Sequence, residues 1–330
     1  MKQTVKKSHP EFSQEKIDAM VTSELGCATP CIIPNENFTN KELLHTARII
    51  VAGKKINAGC NCVGAQVVVL CKEWSQKDLF REKLIEELKR QPTTPLYYPG
   101  SAERRAFMED TYKSNCMTVD APRVAENQVL KHQDQILLVD CGVPNKEGYD
   151  GTALTVEAFG PVLAVVELPN EENGNFLSNV AVPFVNDKHN IYGSLSCVVL
   201  NPKAQPSDQL ERAIASLRYG AVAVNQPSLL GYSSAMLGGV WGAHPLDKTG
   251  QSGNGQIGNQ YKLPNAEKTV VLGPTLETSP MFDQAKSTPR IFVHVLDELL
   301  LSESTFTAIC RAVALVISRS WNALKKTISC

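Results

Sequence analysis

Short apolar runs of strand length alternate with helix-like segments along most of this sequence, and no other feature constrains its fold as strongly. The runs are rich in valine, isoleucine and leucine, which favour β-strands. They are CIIP at 31, QVVVLC at 66, ILLVDC at 136, VLAVVEL at 162, LSCVVL at 195, AVAV at 221 and TVVL at 269. Strands that alternate with helices are typical of a parallel sheet with crossover helices. The sequence therefore predicts the α/β class.

The segment between the first two runs has the clearest helix signal. Thr39 and Glu42 form a capping-box pattern at its start, and apolar residues recur at helical spacing as far as Val51. Segments 75–90 and 206–217 have a similar periodicity, each with a serine near its start. We therefore predict helices in all three segments.

Two further segments carry weaker signals. Residues 171–187 predict a helix that Pro183 should interrupt. Residues 238–265 are rich in glycine and poor in apolar residues, which predicts a long irregular loop. Its GNGQIG at 253–258 matches a dinucleotide-binding pattern, but no strand is predicted before it and no helix after it. We interpret this segment as a loop at the surface or over a site.

The composition limits the partners of this chain. Lys and Arg total 33 against 34 for Asp and Glu, so no strong field attracts nucleic acid or an anionic membrane. The ten cysteines lack the dense spacing of a disulfide scaffold, which favours reduced thiols. No run approaches the roughly 18 apolar residues that span a bilayer, and no leader peptide is recognisable. We predict a cytoplasmic protein without a nucleic-acid partner or an integral membrane segment.

Cys60 and Cys62 lie one residue apart in NAGCNCVGAQ, between a predicted helix and a predicted strand. Four roles fit such cysteines: a buried structural thiol, a metal ligand, a redox partner or a nucleophile. A C-x-C pair supplies only two zinc ligands and the six histidines are dispersed, so no metal site is predicted. The loop position favours a nucleophile, with a structural thiol as the alternative.

Glu24 begins the tripeptide ELG just before the first predicted strand. A carboxylate in this place can act as a general base if partial burial raises its pKa. Together with a cysteine nucleophile it suits a two-step acyl transfer. The alternative is that Glu24 is an exposed turn residue.

Three motifs, in this order, resemble those of the aldehyde dehydrogenase superfamily. They are ELG at 24–26, N-x-G-x-x-C at 57–62 and E-x-F-G-P-V at 157–162. The resemblance covers about residues 20–275, and three ordered motifs are more specific than any one of them. It implies the three-layer, parallel-sheet catalytic domain of an aldehyde dehydrogenase.

The resemblance also implies a mechanism and a cofactor. Cys62 would attack a small-molecule aldehyde with its own backbone N–H as an oxyanion donor, and Glu24 would activate the water that hydrolyses the thioester. Glu157 and Phe159 match the positions that hold the ribose and the ring of NAD or NADP. Cys60 stands where the family often has glutamine, which implies a packing role. The implied activity is oxidation of an aldehyde to a carboxylic acid.

The motif order also predicts how the chain is divided. We predict a lead-in at 1–20, the catalytic domain at 21–275 and a helical extension with a basic amphipathic segment at 276–330. Only 23 residues precede Glu24, so the sequence is expected to lack most of the family's Rossmann-like cofactor domain. The resemblance implies a homo-oligomer, and the missing domain implies a partner chain that supplies it. We expect no oxidation of aldehyde with NAD(P) by this chain alone. The alternatives are a domain kept for assembly or interaction and a thiol esterase that needs no cofactor.

Overall fold

The structure is a computed structural model that describes residues 2–170, 174–202 and 207–273, and it is built around one large sheet. Its strands are β1 (Ser23–Glu24), β2 (Thr29–Ile32), β3 (Ala65–Cys71), β4 (Cys116–Val119), β5 (Ile136–Asp140), β6 (Val162–Leu168), β7 (Ser196–Val199), β8 (Ala221–Val224), β9 (Val240–Gly242), β10 (Gly253–Asn254), β11 (Gln256–Gly258) and β12 (Thr269–Leu272). Its α-helices are α1 (Lys2–Ser8), α2 (Gln14–Met20), α3 (Asn40–Lys55), α4 (Lys77–Arg90), α5 (Ser101–Tyr112), α6 (Thr152–Thr155), α7 (Val182–Asn186), α8 (Asp208–Ser216) and α9 (Leu229–Met236).

The large sheet has eight strands in the order β12-β8-β7-β2-β3-β6-β5-β4, and all neighbours are parallel except β4 and β5. The chain passes from β2 to β3 and β6 on one side, and then returns to the other side of β2 for β7 and β8. Because parallel crossovers are right-handed, this reversal places the connecting helices on opposite faces of the sheet. The result is a three-layer α/β arrangement around a mainly parallel sheet, as predicted.

Strand β3 lies at the centre of the core, and all its residues are buried. A strand inside a parallel sheet is covered on both faces, which explains its nearly continuous apolar sequence. Strands β2, β3 and β6 are neighbours, with Val67 paired to both Pro30 and Ala164. Their amino ends therefore lie at one edge of the sheet, where the loops that carry the predicted site residues end.

The predicted main elements are confirmed. All seven apolar runs form strands of the large sheet. Helix α3 begins at a capping box, in which the Glu42 N–H donates to Thr39 Oγ1 and the Thr39 N–H donates to the Glu42 carboxylate. The predictions at 75–90 and 206–217 correspond to α4 and α8, and Ser207 is the N-cap of α8.

Two predictions are corrected. Pro183 does not interrupt a helix. A π-helical turn, Leu177–Ala181, leads into α7, and Pro183 lies in the first turn of α7. The missing proline N–H is not needed there, because the first N–H groups of a helix have no partner within it. The prediction of an irregular loop at 238–265 is wrong in part, because β9, β10 and β11 lie within it. Glycine permits this arrangement: Gly253 has a φ of 88°, and a Cβ there would lie 2.1 Å from the Ser23 carbonyl oxygen.

The predicted domain boundaries at the two ends of the chain remain predictions. The lead-in forms α1 and α2, and Ser13 caps α2 by accepting the Lys16 N–H. The predicted extension at 276–330 lies outside the described residues. Within the described ranges, no helix has the length and apolar character needed to cross a membrane.

Candidate active site

Three loops at the amino edge of the sheet carry the predicted site residues. Glu24 precedes β2, Cys62 precedes β3 and Glu157 precedes β6. Because these strands are adjacent and parallel, the loops before them lie side by side. Residues 57–62 are referred to below as the nucleophile loop, and residues 157–160 as the EAFG turn.

The nucleophile loop has a strained backbone. Asn57, Ala58 and Gly59 are consecutive left-handed residues, with φ of 53°, 54° and 77°. The side chain of alanine makes this region sterically unfavourable. The N–H groups of Cys60 and Asn61 then close the loop, with bonds of 2.9 Å to the Asn57 carbonyl and 3.1 Å to the Gly59 carbonyl. Such strain persists only where the surrounding structure imposes it, and it is concentrated at functional sites.

The Cys62 thiol is half-buried and holds its proton tightly. Burial raises its pKa to about 12, and the charge of Glu24, its hydrogen bond to the thiol and the charge of Glu157 add to the rise. At neutral pH the resting group is therefore a thiol, and Glu24 is the carboxylate placed to accept its proton. Among the described residues no acceptor binds the Cys62 N–H, so this donor is available to an oxyanion.

Glu24 is exposed, and strand pairing fixes its backbone. Strand β1 is antiparallel to β10, with Glu24 opposite Gly253, and Ser23 Oγ donates to Asn254 Oδ1 at 2.7 Å. The glycine-rich segment thus lies against the strand that carries Glu24. A cavity of about 50 Å³ beside Glu24, also lined by Trp241, has room for a few water molecules.

The EAFG turn holds the carboxylate of Glu157 inside the site. Glu157 is half-buried, and its Oε1 accepts the Cys27 N–H at 3.1 Å. Burial raises the pKa of Glu157, while the Cys27 N–H and the charges of Arg104 and Lys54 oppose the rise. Phe159 adopts a left-handed φ of 42°, which is unfavourable for an aromatic residue. The surrounding structure therefore imposes the conformation of the EAFG turn, as it does for the nucleophile loop.

Glu157 and Phe159 fit the parts of a nicotinamide nucleotide that the resemblance assigns to them. Among the described residues no donor binds Glu157 Oε2, so this oxygen is free to accept a hydrogen bond from a ribose hydroxyl. The Phe159 ring packs edge-on against Tyr98, with ring centroids 4.8 Å apart, which fixes an aromatic group beside the carboxylate.

Within the described ranges, the thiols other than Cys62 are free and form no metal centre. Cys60 is buried with its Sγ 3.3 Å from Ser101 Oγ, which fits the predicted packing role. The eight cysteines within the described ranges are free thiols. In the same ranges, no group of three or more His, Cys, Asp or Glu side chains is arranged to hold a metal ion.

Three residues that support the EAFG turn have no signal in the sequence motifs. They donate to three consecutive carbonyls of the turn: Arg104 Nε to Ala158 at 2.6 Å, Ser101 Oγ to Phe159 at 2.7 Å and Lys54 Nζ to Gly160 at 3.0 Å. Lysine and arginine are mostly exposed in proteins, so a sequence alone assigns such residues to the surface.

A wider cavity of about 530 Å³ lies away from these loops, near the carboxyl end of β5. Its lining includes the ion pair between Arg81 and Asp140, at 2.8 Å, and apolar side chains such as Leu84 and Met117. None of the predicted site residues lines it. The pairing of Cys62 with a base, rather than cavity size, therefore places the candidate active site at the amino edge.

Gly26, in the ELG motif, is a position where a side chain would displace Glu157. A Cβ at Gly26 would lie 1.8 Å from Glu157 Oε2. We expect Gly26→Ala to break the bond between Cys27 and Glu157 and to lower the free energy of unfolding by about 1–2 kcal/mol, as measured by urea denaturation. Gly53→Ala in α3 is the control, because its Cβ would meet Ala65 Cβ at an ordinary 3.5 Å. Equal stability of the two variants would contradict this role of Gly26.

Comparisons with known proteins show the fold of this chain. It matches no protein-family model and no curated sequence. Among solved structures, a lactaldehyde dehydrogenase from Escherichia coli matches with 20% identity and a TM-score of 0.52, over 75% of this chain and 48% of that chain. An indole-3-acetaldehyde dehydrogenase from P. syringae, in complex with NAD⁺, matches with 19% identity and a TM-score of 0.54, over 78% and 47%. An NADP-dependent glyceraldehyde-3-phosphate dehydrogenase from Bacillus halodurans, complexed with NADP, matches with 18% identity and a TM-score of 0.52, over 74% and 47%. The chain thus spans about half the length of the structures it matches.

Proposed function

We propose that this chain, which has the fold of the catalytic half of an aldehyde dehydrogenase, performs the thiol chemistry of an NAD(P)-dependent aldehyde oxidation. One observation carries the proposal: the Glu24 carboxylate and the Cys62 thiol come from separate loops, and the carboxylate lies near enough to raise the pKa of the thiol. A nucleophile beside a base is the arrangement that covalent acyl transfer requires. The substrate would be a small-molecule aldehyde and the product a carboxylic acid.

The first step is attack of Cys62 on the aldehyde. Glu24 takes the thiol proton, Sγ bonds to the carbonyl carbon, and the negative charge moves to the carbonyl oxygen. The Cys62 N–H, which has no acceptor among the described residues, would donate to this oxygen. The exposed position of Glu24 lets its new proton pass to solvent, which restores the base.

A nicotinamide held by Glu157 and Phe159 would supply a hydride acceptor, and loss of hydride turns the adduct on Cys62 into a thioester. Hydrolysis then uses Glu24 again. The carboxylate takes a proton from a water molecule, the water oxygen bonds to the thioester carbon, and the C–S bond breaks. The departing sulfur takes the proton from Glu24, since the pKa of Cys62 favours the thiol.

A thiol esterase is the second candidate function. It needs only Cys62 and Glu24, and these two groups meet within the described part of the chain without help from another molecule. Such an enzyme would accept an ester directly and would not use Glu157 and Phe159 for a cofactor. The two functions share the acyl-enzyme on Cys62 and differ in the need for a hydride acceptor.

An activated aryl ester tests the shared step, because it needs no cofactor. The purified 330-residue chain is incubated with the ester near neutral pH, and the acylated peptides are identified by mass spectrometry. We expect the acyl group on Cys62 in preference to the other nine cysteines. Aldehyde with NAD or NADP forms the second arm: reduced cofactor identifies a dehydrogenase, and ester turnover without it identifies an esterase. A chain that leaves Cys62 unmodified would refute both and leave a domain used for assembly or interaction.

Glu24→Gln is expected to change two rates in opposite directions. Removal of the carboxylate charge lowers the pKa of Cys62, so alkylation by iodoacetamide near neutral pH becomes about three- to tenfold faster. Removal of the base slows hydrolysis of the acylated thiol by about 10²-fold or more. Both rates are followed by time-resolved mass spectrometry, with Glu86→Gln on the exposed side of α4 as the control. Hydrolysis of the acylated thiol at the unmodified rate in Glu24→Gln would contradict the base assignment.

A further inference from the structure

Lys54 is a buried lysine in the last turn of α3, directly before the nucleophile loop. Its side chain is 1% exposed, and its Nζ donates to the Gly160 carbonyl at 3.0 Å. Among the described residues it forms no ion pair. Because an ammonium group is costly to remove from water, a lysine is rarely buried without a charged partner. A contribution to stability therefore does not explain why the ammonium group of Lys54 is buried.

The Gly160 carbonyl, which Lys54 binds, is also where two loops touch. Gly59 has a φ of 77°, and a Cβ on it would lie 2.4 Å from the Gly160 oxygen and 3.2 Å from the Lys54 carbonyl oxygen. The backbones of the nucleophile loop and the EAFG turn are thus in direct contact. Lys54 precedes the nucleophile loop in the sequence, and its ammonium group binds the EAFG turn.

The turn held by Lys54 is one that needs external support. Phe159 is left-handed, with a φ of 42°, a conformation that is unfavourable for an aromatic residue. Ser101 and Arg104 hold the two preceding carbonyls, but both belong to α5. Lys54 reaches the turn from the helix before the nucleophile loop, and Gln66, in the strand after this loop, accepts the Ala158 N–H at 2.9 Å. The bond from Lys54 therefore helps to set the position of the turn relative to Cys62.

The charge of Lys54 also acts on the site. Burial lowers its pKa to about 8, and the neighbouring Cys60, Cys31 and Glu157 oppose this fall. In the ammonium form, Lys54 joins Arg104 in opposing the rise in the pKa of Glu157. It therefore favours the ionised carboxylate, the form that accepts hydrogen bonds with both oxygens.

We infer that Lys54 is a positioning residue: its ammonium group fixes the EAFG turn against the nucleophile loop and so keeps Glu157 and Phe159 in place relative to Cys62. The inference rests on the proposed function, because that function makes Cys62 the reacting group. It assigns Lys54 no contact with substrate.

Lys55, the next residue, provides a matched control. It is 2% exposed, and its Nζ donates to the Leu88 carbonyl at 2.6 Å and to the Gln91 carbonyl, at the end of α4. Burial lowers its pKa to about 7. Lys55 thus shares the burial and the helix turn of Lys54, but its ammonium group binds another helix rather than the EAFG turn.

Methionine variants of the two lysines separate positioning from stability. Lys54→Met and Lys55→Met each remove a buried charge and keep most of the apolar volume, a change that is often neutral or stabilising. We expect thermal midpoints at or above that of the unmodified chain for both variants. A purely structural role predicts that the two variants behave alike, whereas a positioning role predicts that only Lys54→Met alters the site.

Two readouts test the inference on the full chain. The rate of Cys62 acylation by the aryl ester is expected to fall at least about tenfold in Lys54→Met and to stay within about twofold in Lys55→Met. Hydrogen–deuterium exchange of the peptide 155–162 is expected to be about tenfold faster in Lys54→Met and unchanged in Lys55→Met. The exchange measurement does not depend on any reaction of Cys62.

The combined outcomes distinguish this inference from the proposed function. Unchanged exchange of peptide 155–162 in Lys54→Met would overturn the positioning role, and so would equal effects of the two variants on both readouts. Faster exchange in Lys54→Met together with no acylation of Cys62 in the unmodified chain would support the positioning of the turn and reject the proposed function.

Discussion

Cys62→Ala is expected to slow acylation of this chain by an aryl ester at least about 10³-fold, because it removes the atom that forms the covalent bond. The expectation follows from the half-buried thiol, the nearby carboxylate of Glu24 that raises its pKa, and the backbone N–H of Cys62, which has no acceptor within the described residues. Time-resolved mass spectrometry of the intact chain measures the rate, and peptide mapping identifies the modified residue.

A carboxylate near a thiol is not sufficient for reaction, as another cysteine of this chain illustrates. Cys71 Sγ donates to Glu73 Oε2 at 3.6 Å, but Cys71 is fully buried in strand β3. It is expected to remain unmodified in both the unmodified chain and Cys62→Ala. Reactivity therefore depends on a base and on access together.

Cys60→Ser is the matched control for Cys62→Ala. Its hydroxyl keeps a hydrogen-bonding group 3.3 Å from Ser101 Oγ at nearly the same volume, so the acylation rate should stay within about threefold. If Cys62→Ala reacts at the unmodified rate with the acyl group on Cys60, then Cys60 is the nucleophile and the assignment from motif order is wrong.

The sheet was largely predictable because buried parallel strands have a simple sequence signature. Strand β3, buried on both faces, is a continuous apolar run. Strand β4 was not predicted, because this antiparallel edge strand is only partly buried and its sequence, CMTV, is short and mixed in polarity. Helix α5 was also missed, since it begins after Gly100 at a φ of 82° without a side-chain cap.

The site was predictable only as far as its motifs reach. Motif order selected Cys62, Glu24, Glu157 and Phe159, and the topology brings the loops that carry them to one edge of the sheet. Their support depends on contacts between distant segments, such as the pairing of β1 with β10. Lys54 illustrates the limit, because a lysine in the last turn of a helix is common at surfaces, where it interacts favourably with the helix dipole. Only the fold reveals that its ammonium group is buried against another loop.

The free energy of unfolding is expected to rise by roughly 3 kcal/mol between about pH 7 and about pH 9, because two lysines are buried. Lys54 and Lys55 have folded-state pKa values of about 8 and about 7, against an ordinary value of 10.5. Across this window the unfolded chain binds more protons than the folded chain, so loss of protons favours folding. The direction reverses above about pH 9, because the thiols of Cys31, Cys62 and Cys141, with pKa values of about 12, keep protons that the unfolded chain releases near its ordinary value of 9.0.

Urea titrations at a series of pH values measure this rise, and the lysine variants assign it. Lys55→Met should remove the larger part, since the folded-state pKa of Lys55 is lower and its proton is lost first. The double variant, Lys54→Met with Lys55→Met, should show almost no rise, because methionine does not titrate. A rise that persists in the double variant would place its cause elsewhere. Equal stability of the unmodified chain at about pH 7 and about pH 9 would mean that both lysines stay charged in the folded state throughout this range. The ammonium group of Lys54 would then hold the EAFG turn at every pH in the range.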